Sequence, residues 1–136
     1  MKEKISDDIY LKLWAIDQVN SNKRWTITTF FLGISFAILG FSFQSEKTQL
    51  PIIAQHIAAI FSYWFAYLMS KSFNDFTNFI RSYIQDIEDS NKTSLKMQTK
   101  VREYMKSKKR RVSTTKLIVY FGIVYTVTII ATWFIL

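Results

Sequence analysis

Three long uncharged runs constrain this chain more than any other feature of its sequence. They cover residues 25–43, 50–70 and 117–136, and none of them contains Lys, Arg, Asp or Glu. A helix needs roughly 20 residues to cross the hydrocarbon core of a bilayer, so each run is long enough to span it. A chain of 136 residues is too small to bury three helices that are apolar on every side. We therefore predict an all-α integral membrane protein with three transmembrane helices.

The basic residues lie almost entirely on one side of this arrangement. The chain has 18 Lys and Arg residues against 10 Asp and Glu, and every basic residue except Lys47 lies in residues 1–24 or 71–116. Because three spans alternate sides, these two segments share a side, and cytoplasmic segments carry the excess of basic residues. We expect a bacterial inner-membrane protein with a cytoplasmic N-terminus and the C-terminus, after the third span, outside.

The first polar segment, residues 1–24, predicts a short amphipathic helix over residues 6–21. Its apolar face either lies on the membrane surface or packs on the other cytosolic helices, and we favour packing because the helix is not strongly basic. The transmembrane hairpin, residues 25–70, follows it directly. The N-terminal segment is therefore expected to belong to the cytosolic part of the molecule.

The second polar segment, residues 71–116, predicts a cytosolic antiparallel helical hairpin. Apolar residues recur there with the three-and-four spacing of a coiled-coil seam, at Phe73, Phe76, Ile80, Tyr83 and Ile87. No Gly or Pro separates this seam from the second span, so one helix is expected over about residues 51–88. A break at residues 89–91 and a return helix over about residues 93–109 complete the hairpin.

Small residues indicate where the spans pack, because close approach of backbones drives helix association in lipid. They lie on one face of the first span at Gly33, Ala37 and Gly40, and recur every four residues in the second span at Ala54, Ala58, Ser62, Ala66 and Ser70. These faces serve either packing between the two spans of one chain or association of the chain into a homo-oligomer. The sequence does not distinguish packing within one chain from association between chains.

Two strongly polar side chains, Gln55 and His56, lie within the second span. A polar residue at membrane depth is a functional candidate, and we take His56 as a candidate pore-lining or gating residue. Its alternative role is simple solvation near the outer interface. No carboxylate lies within any of the three runs, which argues against a proton relay or an ion-coupled transporter.

The residue inventory argues against an enzyme and against a cofactor. The chain has no Cys and one His, which excludes a disulfide framework, a Cys-ligated metal, a thiol nucleophile and a multi-His metal site. Walker and dinucleotide-binding motifs are absent from the sequence. The acids Asp86, Glu88 and Asp89 cluster near the end of the predicted long helix, where we expect them to be solvated.

The densest run of positive charge precedes the third span. It contains Lys106, Lys108, Lys109, Arg110 and Arg111. We expect this run to fix the topology and to contact anionic lipid headgroups, and the alternative is a binding site for a nucleotide or nucleic acid. Nucleic acid is not expected as a partner, because neither interleaved aromatic residues nor a Gly-rich phosphate loop accompanies the charges.

The order of these segments resembles a known group of proteins. An amphipathic helix, the sequence Lys23-Arg24-Trp25, a two-span hairpin and a long cytosolic helix together look like the layout of the SLATT group of prokaryotic membrane effectors, over about residues 6–106. The resemblance implies a membrane-disrupting or pore-forming effector of a nucleotide-signalled antiviral system. It also implies that a cytosolic protein or a nucleotide acts as trigger on residues 71–111. The third span departs from the two-span pattern of that group.

The function expected from these observations is an oligomeric effector that permeabilises the inner membrane in antiviral or stress defence. Its expected partners are membrane lipids and further copies of the same chain. A membrane anchor or scaffold that recruits a cytosolic protein is the first alternative. A holin-like phage lysis protein is the second, because small size, three spans and a basic segment fit that class too.

Overall fold

The computed structural model describes residues 7–44, 51–107 and 113–135. These residues form four α-helices and no strand, which confirms the predicted all-α class. The helices are α1 (Asp7–Ser42), α2 (Ile52–Asp89), α3 (Met97–Ser107) and α4 (Thr114–Ile135). Helices α1, α2 and α4 are long and apolar enough to cross a membrane, as the three uncharged runs predict.

Helix α1 joins two segments that the sequence analysis treats as separate, the amphipathic helix over residues 6–21 and the first span over residues 25–43. Residues 7–32 contain neither Gly nor Pro, so nothing interrupts the helical hydrogen bonds between the two segments. The acids Asp7 and Asp8 in the first turn complement the positive end of the helix dipole. The N-terminal segment is therefore the first part of a longer helix and does not form one of its own.

Helix α2 ends in a Schellman motif. The N–H of Lys92 donates to the carbonyl of Ile87, and the N–H of Asn91 donates to the carbonyl of Glu88. Asn91 has a φ of 52°, which is the left-handed conformation that this motif requires at the residue after the cap, and Asn tolerates it better than most residues. The helix thus ends at Asp89, within the break that the sequence predicts at residues 89–91.

The chain divides into two compact units, and both α1 and α2 contribute to each. The charged unit comprises the described residues of Met1–Arg24 and Ser72–Arg111. The apolar unit comprises the described residues of Trp25–Lys71 and Val112–Leu136. The boundaries fall next to the ends of the uncharged runs, so the division follows the distribution of charge along the sequence.

The core of the charged unit is formed by one aromatic ring from α1 and aliphatic side chains from α2. Tyr10 packs against Ile80, Ile84 and Ile87, and partly buried residues complete the cluster: Leu13, Trp14, Leu95 and Met97. Polar contacts hold the same helices together, because Asp17 pairs with Arg81 and Arg24 donates to Asn74. No residue of α3 is fully buried, so this helix is attached mainly through its first turn.

Candidate functional site

Helix α1 carries a polar stripe along the buried face of its apolar portion. Thr28, Ser35 and Ser42 are spaced seven residues apart, and each is almost fully buried. Residues seven apart fall on nearly the same side of a helix, so the three hydroxyl groups line one face. Polar side chains inside a membrane-length helix bundle are costly and commonly mark a pathway or a functional site. This polar stripe and its partners are the candidate site.

At one end of the stripe, His56 is held on both ring nitrogens. The indole N–H of Trp133 donates to Nδ1 of His56 at 2.8 Å, so this nitrogen is an acceptor. The proton of the neutral imidazole therefore lies on Nε2, which donates to the hydroxyl of Ser42 at 3.1 Å. Ser42 donates in turn to the carbonyl of Leu39 at 2.6 Å. The chain of bonds fixes one tautomer of His56 and links all three helices of the apolar unit.

In the middle of the stripe, Ser35 also links three helices. Its hydroxyl donates to the carbonyl of Ala59 at 2.7 Å and lies 2.9 Å from the hydroxyl of Tyr125. The Tyr125 hydroxyl lies 3.3 Å from the carbonyl of Ser35 as well. The ring of Tyr125 stacks on that of Tyr63, with the ring centres 5.1 Å apart. Two stacked aromatic rings therefore fill the space beside Ser35.

The third position of the stripe differs from the other two. The hydroxyl of Thr28 is buried and has no hydrogen-bond partner among residues 7–44, 51–107 and 113–135. A buried hydroxyl without a partner costs on the order of 1–3 kcal/mol. Thr28 is therefore a place where water, or a group from another molecule, would supply a missing bond.

Two further hydrogen bonds join α2 to α4. Tyr63 donates through its hydroxyl to the carbonyl of Ile118 at 2.9 Å, and the indole N–H of Trp64 donates to Thr126 at 3.1 Å. Between these contacts, α4 passes the two rings at Gly122. The absence of a side chain at Gly122 lets α4 lie directly against Tyr63.

Replacing Gly122 with Ala is expected to destabilise the protein by about 1–3 kcal/mol. A Cβ atom there would lie 2.6 Å from Cε1 of Tyr63 and 3.3 Å from Cζ2 of Trp64, so the rings must move or α4 must retreat. The matched control is Gly33→Ala, because a Cβ at Gly33 meets nothing within 4 Å and only removes the flexibility of glycine. Thermal unfolding in detergent measures both, and equal melting temperatures would show that the close approach is absent.

A cavity of about 260 Å³ opens beside the His56 end of the stripe. It is lined by Ser42, His56 and Thr132 together with apolar side chains from Leu39, Phe43 and Ile129. With Thr128, the lining offers one imidazole ring and three hydroxyls within an apolar surround. No group of three metal-ligating side chains occurs among residues 7–44, 51–107 and 113–135.

The small-residue faces predicted from sequence do not form one contact within the chain. Gly33, Ala37 and Gly40 are exposed, and so are Ala54 and Ala58. Ser62 is half-buried, whereas Ala66 and Ser70 are buried. A spacing of four residues advances a helix by about 40° beyond a full turn, so the five-residue ladder winds from one side of α2 to the other. Packing of both whole faces within one chain is therefore wrong, and self-association through the exposed ones stays a prediction.

Only part of the seam predicted for the charged unit is buried. Ile80 and Ile87 are buried, Phe73 is half-buried, and Phe76 and Tyr83 are exposed. The residue that completes the buried row is Ile84, which the three-and-four pattern omits. The seam therefore supplies part of the core of one chain and part of its open surface.

The most connected polar group of the charged unit is one that the sequence analysis places in solvent. Glu88 is 2% exposed. Its carboxylate accepts from the backbone N–H groups of Gln98 and Thr99 at 2.7 and 2.8 Å, and from the hydroxyls of Tyr10 and Thr99. These backbone groups are the free donors at the start of α3, so Glu88 caps that helix from another helix.

Burial and hydrogen bonding act in opposite directions on Glu88. Burial raises the pKa of this carboxyl, but the hydrogen bonds from Thr99, Tyr10 and Gln98 outweigh burial and hold its pKa below the ordinary value. For Tyr10, burial and the bond to Glu88 raise the pKa of the phenol to about 12. The pair is therefore a carboxylate and a neutral phenol across the physiological range of pH.

The basic run is only partly within the described residues. Lys106 lies in the last turn of α3 and is exposed. Lys108, Lys109, Arg110 and Arg111 lie outside the described residues. Their role toward lipid headgroups or a ligand stays a prediction.

Four helices without a strand among the described residues, three of them long and apolar enough to cross a bilayer, define a helical membrane protein as the class of this chain. Comparison with protein-family models, with curated proteins and with solved structures finds no match.

Proposed function

We propose that this chain is a small inner-membrane protein that assembles into an oligomer and makes the membrane permeable when triggered. The observation that carries the proposal is the polar stripe of Thr28, Ser35 and Ser42 on the buried face of α1. A helix that only anchors a protein needs no polar interior, because apolar packing is sufficient and less costly in lipid. The three hydroxyls alternate with apolar residues along this face, and each could exchange hydrogen bonds with ions or water on a path through the membrane.

Under this proposal, we interpret the contacts of the stripe as those of a closed state. Ser35 and Ser42 are satisfied by bonds within the chain, and the stacked rings of Tyr63 and Tyr125 occupy the space beside Ser35. Opening requires these bonds to be exchanged for water or for groups of neighbouring copies. The His56 cluster, which joins three helices through a single imidazole, is the contact whose release would free one end of the stripe.

The charge distribution supports a cytoplasmic charged unit, because nearly all basic residues lie in it or at its boundary. In this topology, the return of α3 beside α2 forms the cytosolic hairpin, and the apolar side of the N-terminal part of α1 packs on it. This topology is consistent with the expectation from sequence that the basic run contacts anionic lipid headgroups. The similarity of layout to the SLATT group favours a role in antiviral or stress defence.

Permeation through the stripe predicts that Thr28→Val lowers ion leakage several-fold while the protein folds normally. The substitution keeps the shape of the side chain and breaks no side-chain hydrogen bond to the described part of the chain, since the Thr28 hydroxyl makes none there. It removes only a buried hydroxyl that would face water in the open path. The measurement is the loss of membrane potential in expressing cells, together with dye or potassium leakage from vesicles that contain the purified chain.

The matched control is Thr29→Val on the neighbouring position of α1. Thr29 is exposed and donates to the carbonyl of Trp25 in its own helix, so its replacement should leave leakage unchanged. Full leakage from the Thr28→Val protein would show that the stripe is not the path. If the unmodified chain changes neither the membrane potential nor vesicle leakage, the proposed function is overturned.

An anchor or scaffold is favoured by one observation, the exposed apolar side chains of the charged unit, among them Phe79 and Tyr83. Large apolar patches outside lipid mark interaction surfaces. This function predicts a stoichiometric protein partner that co-purifies with the chain, in membranes that never become leaky. The leakage measurement above therefore separates the two functions directly.

A further inference from the structure

One side of the charged unit is covered by α3 and the other side is open. Trp14 and Gln18 of α1 and Arg81 of α2 line a groove with residues of α3, which places α3 on that side of the α1–α2 pair. A helix turns about 100° per residue, and on this basis five apolar side chains point to the opposite side. They are Ile9 (49% exposed), Ile16 (43%), Phe76 (48%), Phe79 (65%) and Tyr83 (47%), here called the open face.

We propose that the open face binds the open face of a second copy of this chain, so that two α1–α2 pairs form a four-helix arrangement. The proposal deepens the proposed function, on which it rests for its role, by naming the surface through which the charged units associate. Its support comes from the charges at the two edges of the face and from the register of α1 against α2.

Three side-chain contacts fix the register of the two helices. Tyr10 bonds to Glu88, Asp17 to Arg81, and Arg24 to Asn74. Each step forward along α1 therefore matches one step backward along α2.

The same register assigns heights to the charged residues at the edges of the open face. Lys12 lies level with Asp86, and Lys23 lies level with Asp75. All four side chains are exposed. Helical rotation places the two lysines along the outer edge of α1 and the two aspartates along the outer edge of α2. Lys12 also forms an exposed ion pair with Asp8 of its own helix at 2.9 Å, and a second copy's Asp86 would share or replace that contact. The open face thus has two lysines along its α1 edge and two aspartates along its α2 edge, with matching heights.

Only one two-fold arrangement brings these opposite charges together. A two-fold axis parallel to the helices places α1 of one copy over α2 of the other and preserves heights, so Lys12 meets the second copy's Asp86 and Lys23 meets its Asp75. An axis perpendicular to the helices, within the plane of the interface, places α1 over α1 and brings lysines against lysines. Opposite charges fix register and like charges oppose it, so the parallel axis is selected.

The aspartates along the α2 edge also argue against a lipid surface as the occupant of the open face. Anionic headgroups attract basic segments, and they repel Asp75 and Asp86. A second copy offers opposite charges to the lysines and to the aspartates at once, whereas an anionic lipid surface offers them to the lysines alone. The area offered is two helices wide, which is the width of the layer that a four-helix bundle pairs.

Cysteine cross-linking tests the arrangement, and the chain has no native cysteine to interfere. Chains with Ile16→Cys and chains with Tyr83→Cys carry tags of different mass and are mixed in detergent before oxidation. These two positions lie nearly level on the open face, so the parallel axis predicts the mixed disulfide between position 16 of one copy and position 83 of the other. Disulfides between two copies of position 16, or no disulfide, overturn the proposal.

Charge exchange provides the second arm of the test. Asp75→Lys with Asp86→Lys should weaken cross-linking about tenfold or more, and adding Lys12→Asp with Lys23→Asp should restore it. The matched control is Glu103→Lys, an exposed acid of α3 on the side away from the open face, which should leave the yield unchanged. If the control also lowers the cross-link yield, the pairing of the two lysines with the second copy's aspartates is wrong.

The outcome is separable from that of the proposed function. Mixed cross-links in a chain that causes no leakage support this interface and overturn only the permeability. Leakage without mixed cross-links overturns the interface alone. Addition of vesicles with anionic lipids should leave the cross-link yield unchanged, and a loss of cross-links on their addition would assign the open face to lipid instead.

Discussion

Replacing Glu88 with Ala is expected to release the first turn of α3 and to lower the free energy of opening this helix by about 3 kcal/mol. The carboxylate is buried and accepts from two backbone N–H groups and two hydroxyls. Its removal leaves the backbone N–H of Thr99 without its acceptor and the N–H of Gln98 with only a long contact of 3.4 Å to the Tyr10 hydroxyl. Because α3 has no fully buried residue, little else holds the helix in place.

Hydrogen exchange of the Gln98 and Thr99 amides measures this effect directly. A loss of about 3 kcal/mol corresponds to a decrease in protection of roughly a hundredfold. Glu103→Ala is the matched control, since Glu103 is an exposed acid on the same helix. Glu88→Gln should give an intermediate decrease, because one oxygen remains as an acceptor while the amide NH₂ meets other donors. Unchanged protection in Glu88→Ala would show that the cap contributes nothing.

Glu88 and its partner Tyr10 make the stability of the charged unit depend on pH. The pKa of Glu88 is lowered in the folded protein, so its contribution is present above the ordinary range of a glutamate and is lost as pH falls through the lowered value. The pKa of Tyr10 is raised from 10.0 to about 12, so its contribution is fully present below pH 10 and is lost as pH rises toward about 12. Tyr10→Phe should remove the alkaline loss.

The second large effect is expected at the ion pair of Asp17 and Arg81, and it should be asymmetric. Asp17 is 1% exposed, whereas the side chain of Arg81 is 42% exposed. Arg81→Ala leaves a buried carboxylate unpaired and should cost about 2–4 kcal/mol. Asp17→Asn leaves a guanidinium that reaches water and retains an acceptor, so it should cost about 1 kcal/mol.

Thermal unfolding and proteolysis of the charged unit measure this asymmetry. Arg102→Ala is the matched control, because Arg102 lines the same groove and is exposed. Its replacement should change stability by no more than about 0.5 kcal/mol. Equal costs for the Arg81 and Asp17 variants would mean that the two groups are equally solvated, contrary to the structure.

The class of the fold and the number of spans follow from composition alone. Runs without charge over residues 25–43, 50–70 and 117–136 require helices, because lipid offers no partner for backbone groups. The continuity of α2 from Ile52 to Asp89 follows from the absence of Gly and Pro after Pro51. The same reasoning applies to α1, whose first glycine is Gly33, and it would have predicted one helix there as well.

The polar contacts could not be predicted from spacing. Glu88 meets Tyr10 across 78 positions of sequence, and its burial depends on where α3 begins. Its neighbours Asp86 and Asp89 are exposed, so the sequence alone does not show which of the three acids is buried. His56 was a candidate by its depth in the span, yet its partners Ser42 and Trp133 come from two other helices. Thr28, Ser35 and Ser42 form a seven-residue repeat in the sequence, but α1 also carries exposed hydroxyl residues such as Thr29, so the repeat alone does not predict which hydroxyls are buried.

The three uncharged runs have one more consequence, which concerns the electric field across the membrane. A field does work only on charge, at about 2.3 kcal/mol per elementary charge moved through 100 mV. Between Trp25 and Ser42, Ile52 and Ser70, and Leu117 and Ile135 there is no Lys, Arg, Asp or Glu, and Nδ1 of His56 accepts a hydrogen bond from Trp133. A change in membrane potential therefore does little work on these segments. We expect a change in their arrangement to be driven by ligand binding or by assembly of the chain.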